Sequence, residues 1–578
     1  MKRKYLKKVV SAALIGTLVV SAVSGCGNSE KESTDSKKTG ENSEAWEKAA
    51  TDPFAPYPEL VTYTLGKDTQ ASPNFPEGDS YENNGYTRYL KNKLNVQNKN
   101  EFEAQGGDDY DRKVSLAITS GELPDIMTVS NIATLKQLVE NDLVEDLTES
   151  YEKCASDAIK EIYDSFDGRA LENATFDGKL MAIPSATPGI GAGLVWLRQD
   201  WLDALNLEGP KTLEDLEHVL EEFVTKDPGG NGEGKTIGLA ASEKALFGNY
   251  GALNSMDSVF GHFKAYPKQW MKDEKGNVYY GSTAPEMKEA LSVMADWYKK
   301  GLIDPQMATR DTDDMISTIS GGQAGAFLGA WYGPDYPLPD SYKLEGGSKW
   351  KPYVVAQNDD GSVNAYNLNP TTNYVVVRKG FEHPELAIKI LNQECWEFIN
   401  DTESEDVKNI LDNDVDRGTR PLNIEIQDFE HILRNDQEIM DAIDGKIAPE
   451  DLSAENKISY EGCKQYFENE ATTELIPIIE HEKWYEGVPA GFNATVNYEQ
   501  PAFYGQTDGM KRLWTNLEKL EDETMLKIIT NVEPVDSFDE YVETWKSTGG
   551  DQITKEVQEE HREEKVTKTI TVSSPITG

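Results

Sequence analysis

Residues 225–240 read TKDPGGNGEGKTIGLA, and two chemistries compete for them. Gly229 to Thr236 carries the G-x-x-x-x-G-K-T spacing of a loop whose backbone amides cradle phosphate. Asp227, Asn231 and Glu233 fall at the first, fifth and seventh positions of a calcium loop, with Gly232 at its sharp turn. A phosphate loop must follow a strand and open a helix, because the helix N-terminus completes the anion site. Here the order is reversed. Thr212, with Asp215 as its capping-box partner, starts an apolar stripe of Leu213, Leu216, Val219, Leu220 and Phe223, which predicts a helix before the loop. Residues 236–240, TIGLA, predict a strand after it. The nucleotide reading fails on that order. The calcium reading is incomplete: Gly229, Lys235 and Gly238 stand where further oxygen ligands belong, and calcium takes about six to eight oxygens. No cofactor is required, and a calcium ion here would need ligands from other segments. The remaining reading is a helix–turn–strand connection whose glycines allow positive φ.

The N-terminus carries a second chemistry. Lys2, Arg3, Lys4, Lys7 and Lys8 precede an apolar run from Val9 to Val23, which ends in Ser24, Gly25 and Cys26. A positive start, a short apolar stretch and small residues before the cut describe an export signal. The run is too short and too rich in small residues to span a bilayer comfortably. The sequence VSGC resembles the lipobox of bacterial lipoproteins. That resemblance implies cleavage after residue 25 and lipid attachment at Cys26, with an ordinary secretory signal as the alternative. Residues 27–44 contain no apolar side chain except one-atom glycines, so a flexible tether is expected over residues 26–56. Anchor and tether together point to the extracellular face of a Gram-positive cell membrane. Cys154, Cys395 and Cys463 remain; an odd number argues against a disulfide framework.

A net charge of −45 repels phosphate backbones and excludes nucleic acid as a partner. With 578 residues the chain is long enough for more than one core. Strand-like segments at 59–66, 123–130, 178–186 and 372–380 alternate with helical stripes such as 286–300 and 537–549, which predicts an α/β protein with parallel sheets. Its length predicts two lobes.

Several segments together resemble the extracellular solute-binding lipoproteins of carbohydrate ABC importers: SGELPDIMTVS, DGKLMAIPSA, LVWLRQDWLDALNLEGPKTLEDLEHVLEEFVTK, YGSTAPEMKEALSVMADWYKKGLIDPQM and GGQAGAFLGAWYGP. The resemblance spans about residues 57–556 and is to the large Gram-positive oligosaccharide-binding subgroup. It implies a two-lobed periplasmic-binding-protein-like clamshell with crossover strands and a sugar between the lobes. The expected division is residues 57–185 with about 325–378 in lobe 1, about 186–324 with 379–552 in lobe 2, and a charged tail over 553–578. Implied partners are an oligosaccharide, the permease subunits of an ABC importer, and the membrane through the N-terminal lipid alone, with the protein itself a monomer. Some family members bind calcium at a DPDGNGKKDE-like loop, but this chain departs from it at Gly229, Gly234, Lys235 and Thr236.

A sugar offers C–H faces to aromatic rings and hydroxyls to amides, carboxylates and Arg. GAWYGPDYPLPD is the richest such mixture, with Trp331, Tyr332, Asp335 and Tyr336 in a loop. Further candidates are Asn249, Tyr250, Trp270, Asn131, Arg198, Trp484 and Tyr485. For Trp331 the alternative is a wedge beneath the loop, and for Arg198 a structural salt bridge. A surface glycoside hydrolase is the rival class, since 102 acidic residues always provide some carboxylate pair at the required spacing. H-E-x-x-H and G-x-S-x-G motifs are absent. A peptide- or amino-acid-binding protein of the same architecture is the other alternative.

Overall fold

β-Branched and aromatic runs buried on both faces need cover on both sides, and this chain builds two such sheets, each within its own core. The computed structural model describes residues 43–567 apart from 345, 355, 398–400, 402–403 and 414. The expected signal segment, Cys26 and residues 568–578 lie outside the described residues. In chain order the strands that matter are Val61–Thr69 (β1), Val96–Gln105 (β2), Ile126–Val129 (β3), Ile183–Pro184 (β4), Leu194–Arg198 (β5), Ile237–Leu239 (β6), Ala324–Gly329 (β7), Trp350–Tyr353 (β8), Val363–Tyr366 (β9), Tyr374–Val377 (β10) and Val496–Glu499 (β11). The first sheet has the order β2-β1-β3-β10-β4 and the second β8-β5-β7-β6, while β9 pairs with β11.

Each sheet is mixed, where parallel sheets were expected. β1 runs parallel to β2 and β3, but β10 is antiparallel to β3 and β4. In the second sheet β5 is antiparallel to both β7 and β8. The antiparallel members β5 and β10 are the strands with which the chain enters each sheet from the other lobe. A crossover strand arrives from outside the βαβ winding, so nothing forces it parallel.

The first core gathers buried residues from Ala49 to Ala186 and from Tyr374 to Ile426. The second gathers residues from Val195 to Ala356 and from Ala502 to Val557. This moves the expected boundaries. β7 and β8 belong to the second sheet, so the chain returns to the first lobe after Tyr353 rather than near residue 325. The described part of residues 379–426 packs in the first lobe: the helix Leu386–Asn392 follows β10 directly and buries Leu386, Ile390 and Leu391 on it. Trp196, Trp297 and Trp545 are core residues as expected; the side chain of Trp396 is outside the described residues.

Both ends of the body are longer than expected. Residues 43–56 are packed onto the first lobe rather than forming a tether. Trp46 stacks on His383 with ring centroids 5.3 Å apart, and Ala49 is fully buried. Lys389, also fully buried, donates from Nζ to the carbonyls of Ala49, Asp52 and Ala55 at 2.6, 2.8 and 2.8 Å. At the other end, the helix Asp551–Thr567 buries Ile553 and Val557 in the second core, and Gln558 accepts from the Val278 amide at 2.7 Å. Periodic apolar residues inside charged sequence carry that helix into the lobe where a tail was expected.

Lys389→Met would take the donor from the buried carbonyls of Ala49 and Ala55 and from the half-buried one of Asp52. A loss of about 2–4 kcal/mol is expected, read as a lower denaturant midpoint with unchanged m-value; an unaltered midpoint would show that residues 43–56 are not held by this lysine.

Candidate ligand-binding cleft

Among the described residues the chain passes between the two cores three times: between β4 and β5, between β8 and β10, and between Ile426 and Ala502. Where these passages meet lies a cavity of about 520 Å³, inside the range of roughly 300–1,000 Å³ typical of small-molecule sites. The first lobe contributes Phe166 and Arg169, and the third passage contributes Phe429. The second lobe contributes Asn249, Tyr250, Gln269 and Tyr332. The crossing segments add Tyr366, Asn367, Asn369, Tyr498 and Tyr504.

The tyrosines are held in place by their hydroxyls. Tyr332 donates to the Gly251 carbonyl at 2.7 Å, Tyr504 to the Asn367 carbonyl at 2.6 Å and Tyr366 to Asp257 Oδ1 at 2.7 Å. Asp257 is buried and also accepts from Ser255 Oγ and, at 3.2 Å, from the Gly248 amide. Burial pushes its carboxyl above the usual range, against these hydrogen bonds. Tyr250 meets Tyr366 edge-on at 5.6 Å. A Cβ on Gly193 would lie 2.5 Å from the Tyr250 carbonyl and 2.0 Å from Ser258 Oγ, so only glycine lets the first crossing run this close to the Tyr250 backbone and Ser258. Fixed aromatic edges interleaved with Asn and Gln amides can bind a ring-shaped, hydroxyl-rich molecule without any reacting group.

Three of the expected contact residues line the cavity: Asn249, Tyr250 and Tyr332. The others are placed elsewhere. Trp331 packs against Trp484 at 5.6 Å and Tyr332 at 5.7 Å, as the wedge beneath the loop. Trp484 is buried and donates from Nε1 to Ser459 and Glu480, both at 3.0 Å. Asp335 is exposed and pairs with Lys483 at 3.1 Å. Tyr336 and Tyr485 are exposed, the latter stacking on His481. Trp270 lies in the second core among Tyr280, Trp514 and Trp545. Asn131 caps the helix Ile132–Glu140 through the Thr134 amide. Arg198 is buried, pairs with Asp200 at 2.6 Å and stacks over Trp201. Apart from exposed Tyr336, each of these side chains finds a closer partner within the protein.

Phe166, Arg169, Gln269, Tyr366, Asn367, Asn369, Phe429, Tyr498 and Tyr504 were not anticipated. The segment NAYNLNPTTN (364–373) did carry a signal, since it holds four Asn around Tyr366 yet has neither helical nor strand periodicity.

The glycine loop is a turn. The helix Leu213–Lys226 precedes it and β6 follows, which rules out the phosphate-loop order. Asp227 Oδ1 accepts from the Asn231 amide at 2.9 Å and from Thr236 Oγ1, and Oδ2 accepts from the Gly232 amide at 2.8 Å. The Thr236 hydroxyl, with these amides, holds the Asp227 carboxyl below its usual range. Asn231 Nδ2 points at Thr236 and the Gly322 carbonyl. A Cβ on Gly229 would lie 2.4 Å from the Trp201 ring, so packing, not ligation, selects that glycine. Among the described residues no three His, Cys, Asp or Glu side chains cluster as metal ligands. Asp227, Asn231 and Glu233 therefore do not fit a calcium ion in this conformation.

A profile describing bacterial extracellular solute-binding proteins matches residues 72–392. The chain belongs to that family. Its relatives among these binding proteins include lipoprotein LipO of Bacillus subtilis strain 168, 23% identical over 404 residues, covering 69% of this chain and 74% of the relative. The polygalacturonan/rhamnogalacturonan-binding protein YtcQ of the same strain is 24% identical over 461 residues, covering 78% of this chain and 83% of the relative. Among solved structures, the Streptococcus pneumoniae substrate-binding protein FusA in complex with kestose superposes with a TM-score of 0.56 at 17% identity, over 88% of this chain and 100% of that one. An alginate-binding protein without calcium ion gives 0.55 at 16% identity, over 87% and 98%. At such identities the structural likeness is one of fold: the α/β, two-lobed clamshell of solute-binding proteins.

Tyr366→Phe would remove one donor from the buried Asp257 carboxyl. A loss of about 1–3 kcal/mol is expected, measured by chemical denaturation; a neutral result would mean that this wall is not organised by the Tyr366–Asp257 bond.

Proposed function

We propose that this protein is a lipid-anchored substrate-binding component of an ABC importer, which captures an oligosaccharide in the cleft and presents it to the permease. The observation that carries the reading is the cavity at the meeting of the crossing segments, walled by tyrosines whose hydroxyls are already engaged and by Asn and Gln amides. The names of the relatives support a saccharide: YtcQ is described as binding polygalacturonan and rhamnogalacturonan, and FusA holds kestose. Asn249, Tyr250 and Tyr332 are the ligand contacts retained from the sequence, joined by the residues of the crossing segments.

Binding is non-covalent. A receptor of this kind needs no bond to be broken, and the family and the named relatives are binding proteins, which supports capture over hydrolysis. Contacts to both lobes would draw them together, and the closed form is the one a permease can distinguish from the empty protein. Export and acylation at Cys26 would hold the monomer at the outer face of a Gram-positive membrane, with lipid as its anchor. No helix among the described residues is long and apolar enough to cross a bilayer. Calcium is not required.

Calorimetry of the mature chain against a panel of oligosaccharides, followed by chromatography of the recovered sugar, tests this reading. Saturable binding with the sugar recovered intact is expected. Cleavage products would make the protein an enzyme, and heat only with peptides would assign it to peptide uptake. Melting temperature is expected to be the same in calcium and in chelator; a rise with calcium would restore a metal site.

A further inference from the structure

Asp and Glu make up 102 of the 578 residues, and the net charge is −45. Not one acidic side chain lines the cavity. The single charged group in its wall is Arg169. Its Nε donates to the Phe166 carbonyl at 3.0 Å, which fixes the root of the guanidinium, and its Cζ lies 5.9 Å from the centre of the Phe429 ring. Among the described residues its terminal nitrogens have no hydrogen-bond or ion-pair partner. The nearest candidate in sequence on the Phe429 side, Asp428, is taken by Arg434. Elsewhere Arg88 pairs with Asp79, Arg198 with Asp200 and Arg378 with Asp125, while Arg420 and Arg512, like Arg169, donate to a backbone carbonyl.

Neutral sugars need acceptors for their hydroxyl protons, and carboxylates are the strongest acceptors available. A cavity without them, in a chain where they abound, is suited to a ligand that brings its own negative charge. The exposed acids outside the wall would repel such a ligand weakly, since a Debye length of about 8 Å at physiological ionic strength screens them, and the buried Asp257 behind Tyr366 is already turned onto Tyr366, Ser255 and the Gly248 amide. An acid at the wall would repel it strongly, and none is present. We infer that the cleft selects oligosaccharides containing uronic acid, with Arg169 receiving the sugar carboxylate through its two terminal nitrogens. A planar carboxylate matches the guanidinium fork, whereas a phosphate dianion would call for a second cation that the wall lacks. The Oδ1 atoms of Asn249 and Asn369 already accept from the Gly251 amide and from Asn173 and the Thr371 amide, which leaves their Nδ2 groups and the Gln269 side chain for the ring hydroxyls. This inference rests on the proposed function and names the class of sugar.

The test compares uronic-acid trisaccharides of several linkages with their carboxyl-reduced neutral counterparts, by calorimetry on the wild-type mature chain, R169K and R169Q. The wild type is expected to prefer the best uronate over its reduced form by at least ten-fold, with an affinity that falls as salt rises. R169Q is expected to lose most of that ratio and its salt dependence, and R169K to lie between the two. Matching near-ultraviolet dichroism of the three proteins ties the change to the site. A wild type that prefers the reduced sugar, or a ratio unchanged in R169Q, would overturn the inference while leaving saccharide capture standing. Tighter binding of sulfated neutral sugars would overturn the carboxylate assignment. Failure to bind any saccharide would overturn both.

Discussion

Two hydrophobic cores that never merge are the constraint from which the rest of this molecule follows. Each lobe closes its own sheet: Ile126 to Val129 and Tyr374 to Val377 are buried in one, Leu194 to Arg198 and Ala324 to Gly329 in the other. Burying a large apolar side chain is worth about 1.5–3 kcal/mol, so each lobe satisfies itself and neither needs the other's face. What lies between them is therefore polar, aromatic and open to a third molecule. The first two crossings are short and irregular, whereas the third carries a helical block, including His431–Ile443 and Ala454–Glu468, before it reaches the second core. Short β9 and β11 pair only with each other, and their flanks place Tyr366, Asn367, Tyr498 and Tyr504 at the cavity.

The aromatic side chains divide along the same line. Trp270 sits among Tyr280, Trp514 and Trp545, and Trp331 rests on Trp484; these rings fasten lobes and the helical block of residues 432–488 internally. The tyrosines of the cleft differ in that their hydroxyls are tied and the cavity reaches their rings. Tying a ring before the ligand arrives lowers the ordering cost of binding, which otherwise subtracts about 0.5–1.5 kcal/mol for each side chain immobilised.

Local elements were legible where the chain's own neighbours decide them. The capping box of Thr212 and Asp215, the Leu213–Lys226 stripe and the buried Trp196, Trp297 and Trp545 need no distant partner to be foreseen. The reversed order around the glycine loop was legible for the same reason. The cleft was much less so. Trp270 looks like a loop residue until Trp514, far along the chain, packs against it. Trp331 looks like a sugar platform until Trp484 covers it. Arg169 stands in an unremarkable stretch, DGRALEN, and its meaning comes from the absence of acids around a cavity assembled from segments hundreds of residues apart. The lobe boundaries failed on β7, whose apolar run fits either sheet by composition and is assigned only by pairing with β5 and β6.

Capture between independent lobes has a direct physical readout. Small-angle X-ray scattering of the mature protein, without and with a saturating saccharide found by calorimetry, measures whether the lobes approach one another. The account predicts a smaller radius of gyration in the bound state, reached with the stoichiometry of a single site. An identical scattering curve at saturation would contradict it, because the ligand would then bind without engaging both halves of the cleft.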